Sequence, residues 1–111
     1  MTTKNRTVAL ELTTANQDIY TVPNNYEAQI KSILISNATT SQVKFSLDWY
    51  DSANTTYYTI AETTILQPNS ILQITDSLWL LEQDKLRGLA SANNSVSISV
   101  NVEEAYIPRQ I

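Results

Sequence analysis

Apolar and polar residues alternate along most of the chain. In "TVALELT", Val8, Leu10 and Leu12 fall on one face, and "VKFSLDWY" alternates in the same way. The segment "SVSISVNVEE" is the most regular, with four aliphatic residues separated by polar ones. A period of two is the pattern of β-strands that bury one face and expose the other. β-branched residues dominate these segments, which also favours strands.

One segment changes phase in its middle. In "NYEAQIKSILISN" the apolar residues of 26–30 share one phase, whereas Ile33 and Ile35 share the other. A β-bulge near Lys31 and Ser32 would bring both sets onto one face, because a bulge adds one residue to a strand. A strand buried on both faces would explain the pattern equally well.

Short polar stretches with Pro, Asn, Ser or Asp recur about every ten residues. This spacing is typical of an all-β sandwich or barrel. We therefore predict a single antiparallel β-sandwich, Ig-like or jelly-roll, over residues 1–111, with a short N-terminal end (1–5) and a C-terminal arm (105–111). A helix is considered only over 78–84. The predicted strands number about eight: 6–13, 18–22, 26–36, 42–50, 56–64, 70–75, 84–90 and 95–104.

Glycine occurs once, as Gly88. Tight turns need residues with positive φ, and asparagine tolerates that conformation better than other non-glycine residues. The pairs Asn24-Asn25 and Asn93-Asn94 are therefore predicted to fill turn positions. Gly88 lies within a predicted strand, where glycine marks a bulge or a close approach of another backbone.

The composition excludes several classes of function. Cysteine and histidine are absent, so thiolate chemistry, histidine acid–base catalysis and the usual zinc, copper and haem sites lack their ligands. Charged residues make up 16% of the chain, the net charge is −4, and no basic stripe occurs. We therefore expect no cofactor, no metal and no nucleic-acid partner. Ser, Thr and Asn fill 35 of the 111 positions, which makes a surface with few ionised groups.

The N-terminal "MTTKNRTVALELTT" lacks the continuous apolar core of a signal peptide. No apolar run is long enough to span a bilayer. We expect no membrane partner and a protein that is made in a cytoplasm and stays soluble.

The most distinctive segment is the aromatic hairpin "VKFSLDWYDSANTTYYTI". Alternation predicts that Trp49 points into the core and Tyr50 outward, and that Tyr57 and Tyr58 point to opposite sides. Exposed tyrosines can anchor a protein interface or stack on sugar rings. The alternative is that Trp49 is a core residue and the tyrosines are ordinary cross-strand pairs.

Three carboxylates lie in or near this hairpin, namely Asp48, Asp51 and Glu62. Two of them would support glycosidase chemistry only with the right separation and one raised pKa, and the sequence shows neither. Asp51 with Ser52 and Asn54 is typical of turn chemistry. No calcium-binding loop occurs. We therefore predict a protein that is not an enzyme.

Two further segments carry candidate contact residues. Four large apolar residues follow one another in 78–81, so either both faces of this segment are covered or Trp79 lies at an interface. Alternation fails after Val102, because Glu104 would be a charge in the inward phase, and we interpret this as the end of the pairing. The tail then carries the apolar residues Tyr106, Ile107 and Ile111, which would suit an arm that reaches a neighbouring subunit.

Two long segments resemble small bacteriophage virion proteins: "DIYTVPNNYEAQIKSILISNATT" and "FSLDWYDSANTTYYTIAETTILQPNSILQITDSLWLLEQDKLRGLASANNSVSISVNVEE". The shared features are Y-T-V-P before a polar pair, a D-S loop, a P-N-S turn, an A-S turn and a last alternating strand, within about residues 18–104. The chain departs from this pattern where Gln83 precedes Asp84, since the family often has glycine there. No catalytic residue carries over.

The resemblance implies a β-sandwich present in many copies on a phage particle, as a capsid decoration, head–tail or tail component. From it we predict a capsid decoration or cement protein, located in the virion, that binds the major capsid protein or other virion proteins and forms a homo-oligomer. A neck or tail component and a carbohydrate-binding module are the alternatives. The predicted contact residues are Tyr50, Tyr57, Tyr58, Trp79, Tyr106, Ile107 and Ile111.

Overall fold

Nine β-strands form the protein in the computed structural model, which describes residues 3–107. The strands are antiparallel to their neighbours in two sheets. In chain order they are β1 (Thr3–Glu11), β2 (Gln17–Thr21), β3 (Tyr26–Asn37), β4 (Val43–Asp51), β5 (Thr56–Leu66), β6 (Ser70–Ile74), β7 (Leu78–Leu80), β8 (Lys85–Ala90) and β9 (Val96–Tyr106).

The order of the strands identifies the topology. One sheet has the order β1-β9-β3-β6, with β7 also paired to β3, and the other has the order β2-β8-β4-β5. Consecutive strands therefore alternate between the sheets for most of the chain, as in a jelly roll built from two Greek keys. An Ig-like sandwich groups its strands differently. The predicted sandwich is confirmed, and its topology is the jelly roll.

The core lies between the two sheets and follows the alternation of the sequence. In β9 the residues Val96, Ile98, Val100 and Val102 are buried, and the polar residues between them face outward. From the opposite sheet, Phe45 and several aliphatic residues pack against them. Burial of apolar surface from both sheets is thus the main stabilising contribution to this fold.

The irregularities predicted from the sequence are present. The pairing of β3 with β9 shifts register between Ile30 and Ser32, which confirms the β-bulge. Asn25 and Asn94 have φ values of 68° and 59°, as predicted for turn positions without glycine. Gln83 also has a positive φ of 69°, so glutamine occupies the left-handed position where the resembling proteins often have glycine.

The helix considered over 78–84 is wrong. Residues 78–80 form the short strand β7, whose Trp79 lies opposite Gln29 of β3. A turn over 81–84 follows, closed by a hydrogen bond from the Asp84 amide to the Leu81 carbonyl. Trp79 and Leu81 are exposed and Leu80 is buried, so the apolar run alternates as a strand does.

β1 and β9 extend further than predicted. β1 begins at Thr3 rather than at residue 6, and β9 continues to Tyr106, because Thr3 pairs with Ala105 and Tyr26 with Tyr106. Residues 3–5 of the predicted N-terminal end and 105–106 of the predicted C-terminal arm therefore belong to the sheet. The Ile107 amide also donates to the Asn25 carbonyl of its own chain, at 2.7 Å.

Gly88 lies where β8 is crowded from two sides. A Cβ atom there would lie 2.9 Å from Leu47 Cδ2, 3.0 Å from Ile19 Cδ1 and 3.1 Å from the Ser46 carbonyl oxygen. The first distance is shorter than real Cβ atoms show, and the other two are tighter than most contacts in a packed core. Gly88 is therefore required by the close approach of β4 and β2, as predicted.

We expect Gly88→Ala to lower the free energy of unfolding by about 2 kcal/mol, because the added methyl overpacks a core that cannot move a backbone oxygen. Urea unfolding measures this change. Ser97→Thr, which also adds one carbon but at an exposed position of β9, should stay within about 0.5 kcal/mol of the wild type. Equal effects of the two substitutions would contradict the role given to Gly88.

Candidate functional site: an aromatic end of the sandwich

The aromatic residues are concentrated at one end of the molecule, which measures 54 × 26 × 20 Å. At this end β1 and β3 begin, and β4 and β9 end. The half of the sandwich next to it holds all six tyrosines and both tryptophans, whereas Phe45 lies in the other half. We call it the aromatic end. The four loops at the opposite end, 12–16, 38–42, 67–69 and 91–95, contain no charged residue.

The β4–β5 hairpin contributes two cross-strand pairs of aromatic rings to the aromatic end. Trp49 lies opposite Tyr58 with ring centroids 5.0 Å apart, and Tyr50 lies opposite Tyr57 at 4.6 Å. Trp49 and Tyr58 follow the phase of the buried residues, and Trp49 is half-buried against the core. Both Tyr57 and Tyr58 are nevertheless about half exposed, because the hairpin extends beyond the main core.

Two cations pack against the outward pair of tyrosines. The Arg87 guanidinium lies 3.9 Å from the centre of the Tyr57 ring and also pairs with Asp48 at 3.3 Å. Lys85 lies 5.9 Å from the centre of the Tyr50 ring and pairs with Asp18. Cation–π contacts of this kind orient the rings and so fix the shape of the exposed surface.

The three carboxylates considered from the sequence do not form one site. Asp48 is the ion partner of Arg87, and Asp51 accepts a hydrogen bond from Asn54 Nδ2 at 2.8 Å within the turn. Glu62 is exposed in the middle of β5. Within residues 3–107, no group of three or more carboxylates is placed to hold a metal ion.

Tyr26 of β3 and Tyr106 of β9 form a second aromatic group at this end. Tyr106 packs edge-on against Tyr26 at 5.4 Å, and Lys4 lies 5.3 Å from the centre of the Tyr26 ring. Tyr26 lines two shallow depressions, of about 210 and 320 Å³. Trp79 is 60% exposed on the outward side of β7, and Ile107 is half-buried. Ile111 lies outside the described residues.

Sequence analysis missed the role of Glu104. This side chain is fully buried, accepts a hydrogen bond from the Tyr20 hydroxyl, and pairs with Arg6 at 3.3 Å and Lys4 at 3.6 Å. The interpretation that the pairing ends before Glu104 is therefore wrong, since β9 continues and the inward charge has partners. The signal in the sequence was that Lys4 and Arg6 share the inward phase of Val8, and so supply two cations on the neighbouring strand.

Burial raises the pKa of the Tyr20 phenol well above its ordinary value near 10, and the hydrogen bond and negative charge of Glu104 raise it further. Above pH 10 an unfolded chain loses the Tyr20 proton, whereas the folded protein keeps it. Stability is therefore complete below about pH 10 and falls as the pH rises beyond that value.

We expect Tyr20→Phe to weaken this alkaline loss of stability by up to about 1.4 kcal/mol per pH unit, since it removes the titrating phenol. Urea unfolding between pH 9 and 11 measures the slope. Ser97→Ala is the control, because it removes a hydroxyl that does not titrate from an exposed position of β9, and it should leave the slope as in the wild type. A slope unchanged by Tyr20→Phe would contradict the assignment.

A second buried carboxylate, Asp84, holds the loops of the aromatic end together. Its Oδ1 accepts a hydrogen bond from the Ser52 amide at 2.9 Å, and its Oδ2 accepts one from the Leu81 amide at 2.9 Å. The Asp84 carbonyl accepts a bond from the Val22 amide. One residue thus joins the turn that follows β4 to the loops before β8 and after β2, and it positions the aromatic hairpin.

Within residues 3–107, no helix has the length and apolar character needed to cross a bilayer. In sequence, the chain matches no protein-family model and no curated protein. In structure, it is similar to a Bacillus endospore appendage protein from a family of disulfide-linked pili, with a TM-score of 0.59 and 14% identity over 96% of this chain and 88% of that chain.

It is also similar to a chain from the acid-stable capsid of Helicobacter pylori bacteriophage KHP30, with a TM-score of 0.56 and 10% identity over all of this chain and 92% of that one. A chain of infectious bursal disease virus, Gx strain, gives a TM-score of 0.51 and 9% identity over 93% of this chain and 32% of that chain. Identities this low show a shared fold alone. The chain therefore has a jelly-roll fold distantly similar to those of capsid and spore-appendage proteins.

Proposed function

We propose that this protein is a non-enzymatic structural component of a bacteriophage particle, a decoration protein that binds the capsid surface in many copies. The observation that carries the proposal is the aromatic end, where exposed rings of Tyr57, Tyr58, Trp79 and Tyr106 crowd one end of a jelly roll. Exposed tyrosine and tryptophan are the residues most often found at the centre of protein interfaces. The similarity of fold to a chain of a phage capsid structure supports the same conclusion.

The surface suits attachment to a lattice. Charged residues make up only 16% of the chain, so contacts made by its rings, hydroxyls and amides depend little on salt. Each copy needs only modest affinity, because neighbouring sites on a capsid are fixed and their contacts add through effective concentration. The partner in this proposal is the major capsid protein, and the location is the virion.

Particle composition tests the proposal. Particles of a phage whose genome encodes this chain are purified on a gradient and analysed by quantitative mass spectrometry. The number of copies of this chain per particle should be comparable to the number of capsid subunits. Purified protein should also bind to capsids that lack it, in co-sedimentation. Six or twelve copies per particle would instead indicate a ring in the neck or tail, and absence from particles would refute a virion role.

The predicted contact residues are tested in the same co-sedimentation assay. Trp79→Ala and Tyr57→Ala should each weaken capsid binding by roughly tenfold or more, as truncation of an interface anchor does. Ile65→Ala is the matched control, since Ile65 is 51% exposed but lies on β5 near the opposite end. Equal losses for all three variants would remove the aromatic end as the contact surface.

A carbohydrate-binding module receives less support from the geometry. A sugar-binding platform needs the free faces of several rings. Here Arg87 packs against Tyr57, and Trp49 and Tyr58 stack on each other. Binding on a glycan array that is lost in Tyr57→Ala would favour this alternative over capsid attachment.

A further inference from the structure

The half of the β1-β9-β3-β6 sheet away from the aromatic end carries almost no charge on its outward side. Its outward side chains between the bulge of β3 and the end opposite the aromatic end come from 7–11, 32–36, 71–73 and 97–101. We call this surface the neutral face. Its one ionised residue is Glu11, which lies at a corner on β1. The rest are serines, threonine, asparagine, glutamine, alanine and two aliphatic residues.

The polar groups at the edge of the neutral face next to the bulge of β3 are bonded to one another. Thr7 Oγ1 donates to Asn101 Oδ1 at 3.0 Å, and Asn101 Nδ2 donates to Ser32 Oγ at 2.9 Å. This row crosses three adjacent strands. Covering it with a partner therefore removes less hydrogen bonding to water than covering unpaired amides would.

Two aliphatic side chains stand out from this polar background. Ile71 is 68% exposed and Leu34 is 41% exposed. Ile71 lies opposite Ser36 and Leu34 lies opposite Gln73, so the two side chains are diagonal neighbours on adjacent strands. Large aliphatic groups side by side in water are the usual anchor of a contact surface.

Ion pairs lie outside the neutral face. Lys31 pairs with Glu103 on the aromatic-end half of the same sheet, and Lys85–Asp18 and Arg87–Asp48 lie on the other sheet. The whole chain has a net charge of −4, so contact between two copies is least unfavourable where neither copy brings a charge to the contact. A neutral face can meet an identical neutral face without opposing like charges, whereas a charged partner gains nothing from it.

We propose that the neutral face binds the neutral face of a second copy of this chain, in a contact with two-fold symmetry. Four strands about 4.8 Å apart and about five residues of 3.3 Å give a patch of roughly 19 by 17 Å, about 320 Å² on each copy, which is below the size of a stable protein interface. The dimer is therefore weak in solution and is strengthened where copies are held side by side. This inference goes beyond the proposed function and stands even if the particle assignment fails.

Sedimentation equilibrium up to about 1 mM protein tests the contact, because a weak dimer forms in this range. The weight-average mass should rise from 12.5 kDa toward twice that value. Ile71→Glu should raise the dissociation constant roughly tenfold or more, since a symmetric contact carries each substitution twice. Ile65→Glu, at a similarly exposed isoleucine facing outward from the other sheet, should leave it unchanged.

Chemical crosslinking tests the contact independently of the mass measurement. The chain has no cysteine of its own, so one introduced cysteine is the single site of reaction with a maleimide. Ser99 lies at the middle of the neutral face, between Ala9 and Leu34. Ser99→Cys should give dimers with a short bis-maleimide, and Thr59→Cys on the other sheet should not. A mass of 12.5 kDa at every concentration, or crosslinking equal at both positions, would overturn the proposal.

Discussion

Glu104→Ala is expected to lower the free energy of unfolding by about 4 kcal/mol, the largest effect of a single polar substitution in this protein. The change leaves the buried Tyr20 hydroxyl without its acceptor and removes the ion partner of Arg6 and Lys4. It also opens a cavity at a position that is fully buried. Urea unfolding monitored by tryptophan fluorescence measures the loss.

Two variants separate the charge of Glu104 from its volume and its position. Glu104→Gln keeps the size of the side chain and an acceptor for Tyr20, so about half of the loss should remain, from the missing ion pairs. Glu103→Ala lies next to it on β9, where a partly exposed carboxylate pairs with Lys31, and should cost about 1 kcal/mol or less. A loss as large for Glu103→Ala as for Glu104→Ala would contradict the buried-anchor role.

The effect of Glu104 is large because of how β1 is attached. The side chains of residues 3–7 in β1 are all exposed, so this half of the strand buries no apolar group. Besides its backbone pairing with β9, it is held by side-chain contacts, of which the ion pairs of Lys4 and Arg6 with Glu104 are the ones to a buried charge. Tyr20, on β2 of the other sheet, donates a hydrogen bond to the same carboxylate. Glu104 therefore joins the two sheets.

The features predicted correctly from the sequence are those that local pattern determines. Alternation identified the strands, the change of phase identified the bulge at Ile30–Ser32, and the scarcity of glycine identified Asn25 and Asn94. Each depends on residues within one strand or turn, where side-chain direction follows from a period of two. Alternation did not identify the strand within 78–81, because a run of four apolar residues has no visible period.

The features that were missed depend on residues far apart in the chain. Arg6 and Glu104 are separated by 98 positions, and Ser52 and Asp84 by 32. Their contacts exist only once strand order and register are known, and the sequence left the sandwich topology open between Ig-like and jelly-roll. A charge in the inward phase was therefore interpreted as the end of a strand, although it marks a buried ion cluster.

The contact residues could be predicted in part. The sequence suggested that Tyr57, Tyr58 and Trp79 would be available to partners, and all three are well exposed. Their concentration at one end could not be predicted, because it follows from the register of β5 with β4 and of β7 with β3. Their binding of capsid stays a prediction that the co-sedimentation assay addresses.

Asp84→Ala is expected to lower the free energy of unfolding by about 3 kcal/mol, because the backbone amides of Ser52 and Leu81 lose a buried, charged acceptor. The same change should weaken capsid binding, since Ser52 directly follows the strand that carries Tyr50 and fixes the turn before Tyr57. Urea unfolding measures the first effect, and co-sedimentation at a temperature where the variant stays folded measures the second. Asp76→Ala, at an exposed position between β6 and β7, should change neither. If Asp84→Ala loses stability but binds capsids as the wild type does, the carboxylate supports the fold alone and the orientation of the aromatic hairpin does not govern attachment.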